Sequence, residues 1–283
     1  MKSGDAAIMR HPWRLAAAGL ALACVVTADP GAAGQLTYDR GQNVVAAFDG
    51  WERHADGTFG LVFSYFNRNY KEILDIPIGP DNNIEPGGPD QGQPTHFLPA
   101  RHKFVFSVTV PKDWDKKKRL SWTLTVRGKT EKANAFLLPE WEINSQVRGQ
   151  NGDTLHPVIV GNAVEYNEVP AITAGPAQRI TLPAAATLTA SVTDDGLPKP
   201  RQRRQNGVAS AAPQGRLFVN WVMYRGPVGA TITFASDSTA VVDGKASTTA
   251  TFSQPGQYVV RAYADDGAAT TPADIAVTVE APK

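Results

Sequence analysis

Thr251-Phe-Ser-Gln-Pro-Gly-Gln-Tyr-Val-Val-Arg-Ala-Tyr-Ala-Asp-Asp-Gly267 decides how this chain is read. Ahead of its turn, Ala246, Thr248, Ala250 and Phe252 recur every second residue; after it, Tyr258, Val260 and Ala262 do the same. Residues two apart point to one face of a strand, so the stretch predicts strand, tight turn, strand. Pro255-Gly256 supplies the turn, and Asp266-Gly267 begins the next one.

Working outward, the same period returns in Leu188, Ala190 and Val192, in Leu217, Val219, Trp221 and Met223, and in Ile275, Val277 and Val279. Toward the N-terminus it appears in Phe59, Leu61, Phe63 and Tyr65, in Phe104, Phe106, Val108 and Val110, and in Leu120, Trp122, Leu124 and Val126. No helical period persists through this part of the chain. The expected fold class is therefore all-β, with two antiparallel β-sandwich domains. The first is expected over residues 35–169 and the second over 180–283. The segment 170–179, from Pro170 through Pro176, is expected to be the linker.

Residues Pro77 to Pro94 form a long stretch crowded with Pro, Gly, Asp and Asn. Loops of this length inside a domain are functional or disordered, and the prolines favour an ordered Ω-like loop. Its Asp and Asn side chains have two readings, as turn formers or as ligands of a hard cation.

The first residues differ in kind. Lys2, Arg10 and Arg14 precede an apolar run from Leu15 to Ala28, and Val26-Thr-Ala28 offers small residues for cleavage. This is the pattern of a signal peptide over residues 1–28, with a second cleavage point as late as residue 33. The run is short for a membrane span, so no span is expected after cleavage. Cys24 is the one cysteine, and Ala21-Leu-Ala23 before it departs from the lipoprotein pattern, so no lipid anchor is expected there. Signal removal would leave a mature chain without thiol chemistry. The expected location is extracytoplasmic: periplasm, cell surface or medium.

With 28 basic and 27 acidic residues, net charge gives no argument for a nucleic-acid partner. Arg201-Gln-Arg-Arg204 reads as a solvated loop or, alternatively, as a polyanion contact.

Trp221 in mid-strand and Tyr258 near the start of a later strand are hallmark positions of immunoglobulin-type sandwiches, where the Tyr makes a corner hydrogen bond. From Ala190-Ser-Val-Thr-Asp-Asp-Gly-Leu-Pro198 through Gly267 the chain resembles bacterial PKD-type Ig-like modules, with Phe-x-x-Pro-Gly-x-Tyr the most specific part. That resemblance implies apolar residues, Val192 and Val260, where antibody domains carry cysteines. The first domain resembles a module of uncharacterised bacterial secreted and surface proteins. The shared features are Asp56-Gly-Thr-Phe59, Phe63-Ser-Tyr-Phe-Asn67, Ile76-Pro-Ile-Gly79, Gly92-Gln-Pro-Thr-His-Phe97 and Trp122 to Lys132. No activity comes with it.

For chemistry, the histidines His54, His96, His102 and His156 fall in or beside turns, without metalloprotease spacing. His96 and His102 flank Pro99 and could approach one another. Pro139-Glu-Trp-Glu142 places two acids on what reads as one strand face. No nucleophile elbow or phosphate loop is present, and no cofactor is expected. In an Ig-type sandwich, two loops opened by Asp194-Asp195 and Asp265-Asp266 should emerge at one end. These four carboxylates are a candidate Ca²⁺ site, with ordinary Asp-Gly turns as the alternative.

The leading expectation is a non-enzymatic exported bacterial protein with an adhesion, scaffolding or protein-interaction role and an unidentified protein or glycan partner. The second is a carbohydrate-binding module, with Trp51, Trp114 and Trp141 as candidate ligand-binding platforms. The third is a hydrolase of unfamiliar design.

Overall fold

The computed structural model describes residues 38–143, 157–160, 163–197 and 217–282. The expected signal segment, Cys24, His156 and the basic run at 201–204 lie outside them. The described chain is almost entirely strand and forms two β-sheet-rich domains.

The first domain contains β1 (Val44–Arg53), β2 (Phe59–Asn67), β3 (Leu74–Asp75), β4 (Asn82–Glu85), β5 (His96–Phe97), β6 (Ala100–Val110), β7 (Leu120–Val126) and β8 (Lys129–Ala135). One sheet runs β1-β2-β6 and a second β4-β7-β8, all antiparallel, with the short pair β3-β5 beside them. The alternating residues Leu61, Phe63, Phe106, Val108, Trp122 and Leu124 meet between the sheets as one buried cluster. Phe63 stacks on Phe106 at 5.2 Å, and Trp122 meets Phe106 edge-on at 4.9 Å. β2 is buried on both faces along most of its length, which half-buried alternation does not foretell.

A bulge in β1 between Phe48 and Gly50 sets Asp49 out of register. Its carboxylate accepts hydrogen bonds from Ser64 Oγ at 2.7 Å and Phe104 N at 2.8 Å, joining all three strands of the sheet. Gly50, at φ +136°, has no room for a side chain: a Cβ there would sit 2.5 Å from the Trp141 carbonyl. Pro139–Trp141 forms a 3₁₀ turn, and Glu142 pairs with Arg53 at 3.5 Å. Glu140 and Glu142 therefore do not share a strand face. Pro139 starts the turn, since its fixed φ suits a first helical position.

Beyond it, β9 (Pro157–Val160) and β10 (Ala163–Tyr166) form a hairpin. The second domain follows with β11 (Ala171–Ala174), β12 (Gln178–Thr181), β13 (Ala186–Thr193), β14 (Phe218–Arg225), β15 (Ile232–Phe234), β16 (Ser238–Ala240), β17 (Lys245–Phe252), β18 (Gly256–Asp265) and β19 (Thr270–Glu280). A four-stranded sheet β11-β13-β17-β15 faces a five-stranded sheet β12-β19-β18-β14-β16. The first strand pair divides between the sheets: β11 lies antiparallel to β13, while β12 runs parallel to β19. This is an Ig-like sandwich.

Ala171–Ala174 and Gln178–Thr181 are thus hydrogen-bonded strands, where the sequence reads as linker. Four-residue strands with exposed alternate positions leave too little apolar signal to separate them from a Pro/Gly-punctuated connection.

The core of this domain has the expected anchors. Trp221 is buried, and its Nε1 donates to Thr239 Oγ1 at 2.9 Å. Tyr258 OH donates to the Gln254 carbonyl at 2.7 Å, which is the corner hydrogen bond. Val192 and Val260 are both buried in the same apolar cluster.

Candidate functional site

Three regions concentrate polar chemistry: the Pro/Gly loop with its contacts to the second domain, a His/Tyr-lined cavity between domains, and the acidic end of the second sandwich.

The Pro/Gly loop is tightly ordered from within. Asn82 is fully buried; its Nδ2 donates to the carbonyls of Ile76 at 2.9 Å and Pro94 at 2.8 Å, and its Oδ1 accepts from Trp122 Nε1 at 3.0 Å. One side chain thereby ties both ends of the loop to the core. Gln93, also fully buried, accepts from Gln91 N at 2.8 Å. Gln91 Nε2 in turn donates to the carbonyls of Pro86 and Gly88, both at 3.0 Å. Prolines have no N–H, so a loop crowded with them is short of backbone donors, and these side-chain amides supply hydrogen bonds to its carbonyls.

The outer face of the loop grips the end of β14. Tyr224 OH donates to the Gly92 carbonyl at 2.6 Å, and Arg225 Nε to the Gln93 carbonyl at 2.8 Å. Arg225 also holds Asp90 through both terminal nitrogens, at 3.1 and 2.8 Å. Thr95 N donates to the Tyr224 carbonyl at 3.2 Å, and Gly226 N to Thr95 Oγ1 at 3.3 Å. Nearby, Gly229 N donates to Asp75 Oδ2 at 2.8 Å. The Tyr224 ring belongs to the first domain's apolar cluster, and Val259 packs against that cluster too. Arg261 adds a buried cation: its Nη1 donates to the Val105 carbonyl, and Nε and Nη2 grip Asp274 at 2.7 and 2.8 Å. The two domains accordingly cluster as one compact unit, Thr37–Lys283.

The histidines serve structural partners. His54 Nδ1 lies 2.9 Å from Thr58 Oγ1, and His96 Nδ1 lies 2.7 Å from Asp75 Oδ1. His102 Nε2 donates to the Pro99 carbonyl at 2.9 Å, its ring stacks on Tyr65 at 4.8 Å, and burial holds it below the usual imidazole pKa. His96 and His102 do come together in one respect: both line a cavity of about 200 Å³ between the domains, with Tyr65, Val222, Tyr224 and Tyr263.

Of the tryptophans, Trp51 is only 4% exposed, edge-on to Phe59, with Nε1 donating to the Leu138 carbonyl at 2.8 Å. It presents no open ring face to a sugar. It lies on β1 with its side chain turned inward, so this candidate platform is a core residue. Trp114 is half-buried against the core with Lys118 Nζ 4.3 Å over its ring. Trp141 is 42% exposed and stacks on Phe48 at 5.6 Å. Tyr38 and Tyr70, both more exposed, were not singled out by sequence. Both lie outside the strands, where no periodic signal marks a residue.

At the acidic end, the two loops do converge, together with residues 167–168. Asp195 Oδ1 accepts from Leu197 N at 2.8 Å and Oδ2 from Glu168 N at 2.9 Å. Asp265 accepts from Gly267 N at 2.7 Å and Asn220 Nδ2 at 3.3 Å. These two carboxylates face their own turns and neighbours. Asp266, only 2% exposed, accepts through Oδ1 from Ala268 N at 2.6 Å and Ala269 N at 2.7 Å, and through Oδ2 from Asn167 Nδ2 at 3.0 Å. Asp194 Oδ2 accepts from Gly196 N at 2.9 Å, while its Oδ1 is buried with no hydrogen-bond partner among the described residues. Asn167 Oδ1 is likewise buried and unpartnered, on a residue 3% exposed. Burial, with the charges of Asp266 and Asp195, raises the Asp194 pKa above the usual carboxylate value. Among the described residues, no three His, Asp or Glu side chains gather so as to hold a metal ion. The four aspartates do not form one ligand set; Asn167, which sequence did not suggest, is where the loops meet.

Among the described residues no helix is long and apolar enough to cross a membrane. No family profile matches this chain. No curated protein matches it either. Solved structures that align with it include the PKD domain of human KIAA0319, at 17% identity over 41% of this chain and 85% of that one, TM-score 0.25. The D00-D0 domain of intimin aligns at 17% identity over 83% of this chain and 100% of that one, TM-score 0.25. Domains 4 and 5 of the S-layer protein SbsC align at 11% identity over 84% and 98%, TM-score 0.26. At such scores these similarities carry no weight for function, and the Ig-like assignment of the second domain rests on its own strand order.

Proposed function

We propose that this chain is an exported, non-enzymatic bacterial envelope protein that works as a scaffold or adhesion element, its second domain a PKD-type module. The observation that supports this most is the clamp between domains. Arg225, Tyr224 and Arg261 bind the Pro/Gly loop and β6 of the first domain, so the pair resists hinging. A stiff double module suits a role in holding surfaces at fixed geometry, and domain motion is the usual default where an interface lacks such contacts. Deleting the gene and assaying surface attachment and envelope integrity tests the reading. Complementation should succeed with the wild-type chain and fail with an Arg225→Ala/Arg261→Ala chain that is folded and exported. An undisturbed envelope and unchanged attachment in the deletion strain would count against it.

A second reading is glycan binding, favoured by Trp141, which keeps an exposed ring pre-oriented by stacking on Phe48. A glycan array probed with the wild-type chain and Trp141→Ala separates the two readings. Saturable binding lost in Trp141→Ala supports glycan recognition, and an array without signal removes it.

A further inference from the structure

We propose that Asn167, Asp194 and Asp266 hold one hard divalent cation, calcium by its ligand chemistry, which fastens the chain segment leading into β11 to the far loops of the second sandwich. Two buried acceptors, Asn167 Oδ1 and Asp194 Oδ1, have no donor among the described residues. Leaving a buried polar atom unpaired is costly, and a native fold normally satisfies it by a partner, a water or an ion.

Hydrogen bonds bring together the segments that carry these atoms. Asn167 Nδ2 touches Asp266 Oδ2 at 3.0 Å, so the carboxamide lies against that carboxylate and its oxygen sits one amide width away. The next residue, Glu168, binds Asp195 through its backbone, which brings the loop of Asp194 to the same point. Asn167, 3% exposed, thus carries its unpaired oxygen on a carboxamide that lies against Asp266, and among the described residues no basic side chain is hydrogen-bonded to Asp194 or Asp266. Oxygen donors from two carboxylates and an amide suit Ca²⁺, which takes six to eight oxygens and completes its shell with water. Zinc prefers nitrogen and sulfur, and neither is offered here. Asp195 and Asp265 remain outside the set: neither bonds the Asn167 carboxamide, as Asp266 does, and neither carries a buried oxygen without a partner, as Asp194 does.

With few charged ligands, the affinity should fall in the range of extracellular modules, about 10⁻⁴–10⁻³ M. The test is thermal unfolding and titration calorimetry of the full chain in EDTA, 10 mM CaCl₂ and 10 mM MgCl₂. The expected result is saturable calcium heat and a Tm rise of roughly 3–10 °C at 10 mM calcium, smaller in magnesium. Asp194→Asn should lose that rise, whereas Asp113→Asn, an exposed site in the first domain, should keep it. Asn167→Asp adds a charge: its Tm should fall in EDTA and its calcium-induced rise should exceed that of the wild type. No calcium response in the wild-type chain overturns the proposal, as does an equal response in Asp194→Asn. An unchanged calcium response in Asn167→Asp removes Asn167 as a ligand and overturns the three-residue site.

Discussion

Arg261 lays its guanidinium 3.4 Å over the ring of Tyr224, so a cation from β18 and an aromatic from β14 meet where the first domain's core ends. The same guanidinium reaches the Val105 carbonyl in that domain and grips Asp274 on β19. A desolvated cation of this kind holds its position because hydrogen bonds and a ring face replace its hydration. Arg261→Ala should destabilise the chain by about 2–4 kcal/mol. Arg261→Lys should recover only part, because an ammonium cannot reproduce the planar fork. Urea denaturation midpoints at constant m-value are the readout, and an Arg261→Ala change below about 0.5 kcal/mol would contradict the clamp.

Tyr224→Phe keeps the ring and removes the hydrogen bond to the Gly92 carbonyl. The expected cost is about 1 kcal/mol, together with faster protease cleavage within residues 86–92. Unchanged cleavage would show that the loop is held from within alone.

Asn82→Ala should be among the most damaging single changes in the first domain. It leaves the Ile76 and Pro94 carbonyls and Trp122 Nε1 without partners inside the core. A loss of roughly 3 kcal/mol or more is expected from unfolding titrations. Asp81→Ala, on an exposed neighbour, should be nearly neutral by comparison.

Tyr258→Phe deletes the corner hydrogen bond to the Gln254 carbonyl without disturbing ring packing against Phe252. About 1 kcal/mol should be lost, read as a lower Tm with unchanged far-ultraviolet dichroism.

Acid should weaken the fold through His102. Burial lowers its folded-state pKa below the usual value near 6.5, so the unfolded chain binds the proton at higher pH than the folded one. Stability therefore falls as pH drops below about 6.5, until the lowered folded-state value is passed. His102→Gln should flatten this part of the stability–pH curve. A wild-type slope retained in the variant would assign the effect to other groups.

The alternation of Leu188, Ala190 and Val192 and of Tyr258, Val260 and Ala262 sufficed for strands, because side-chain direction in a strand has period two whatever the surroundings. The same local logic located Trp221 as a core anchor and Tyr258 as a corner donor, and their hydrogen bonds follow. Convergence of the two Asp-Gly loops was also legible, since it follows from strand order.

Which carboxylates remain available there was decided only by tertiary structure. Asp195 and Asp266 have the same residue type and the same Asp-Gly context, yet one accepts from Glu168 N and the other from Asn167 Nδ2, across separations no local pattern encodes. Likewise, the crowded prolines of residues 77–94 announced an ordered loop. That the loop fastens the two domains depends on Tyr224 and Arg225, more than 130 residues away. Strand periodicity is a property of the backbone, whereas partner choice among polar groups is settled by which of them folding buries together.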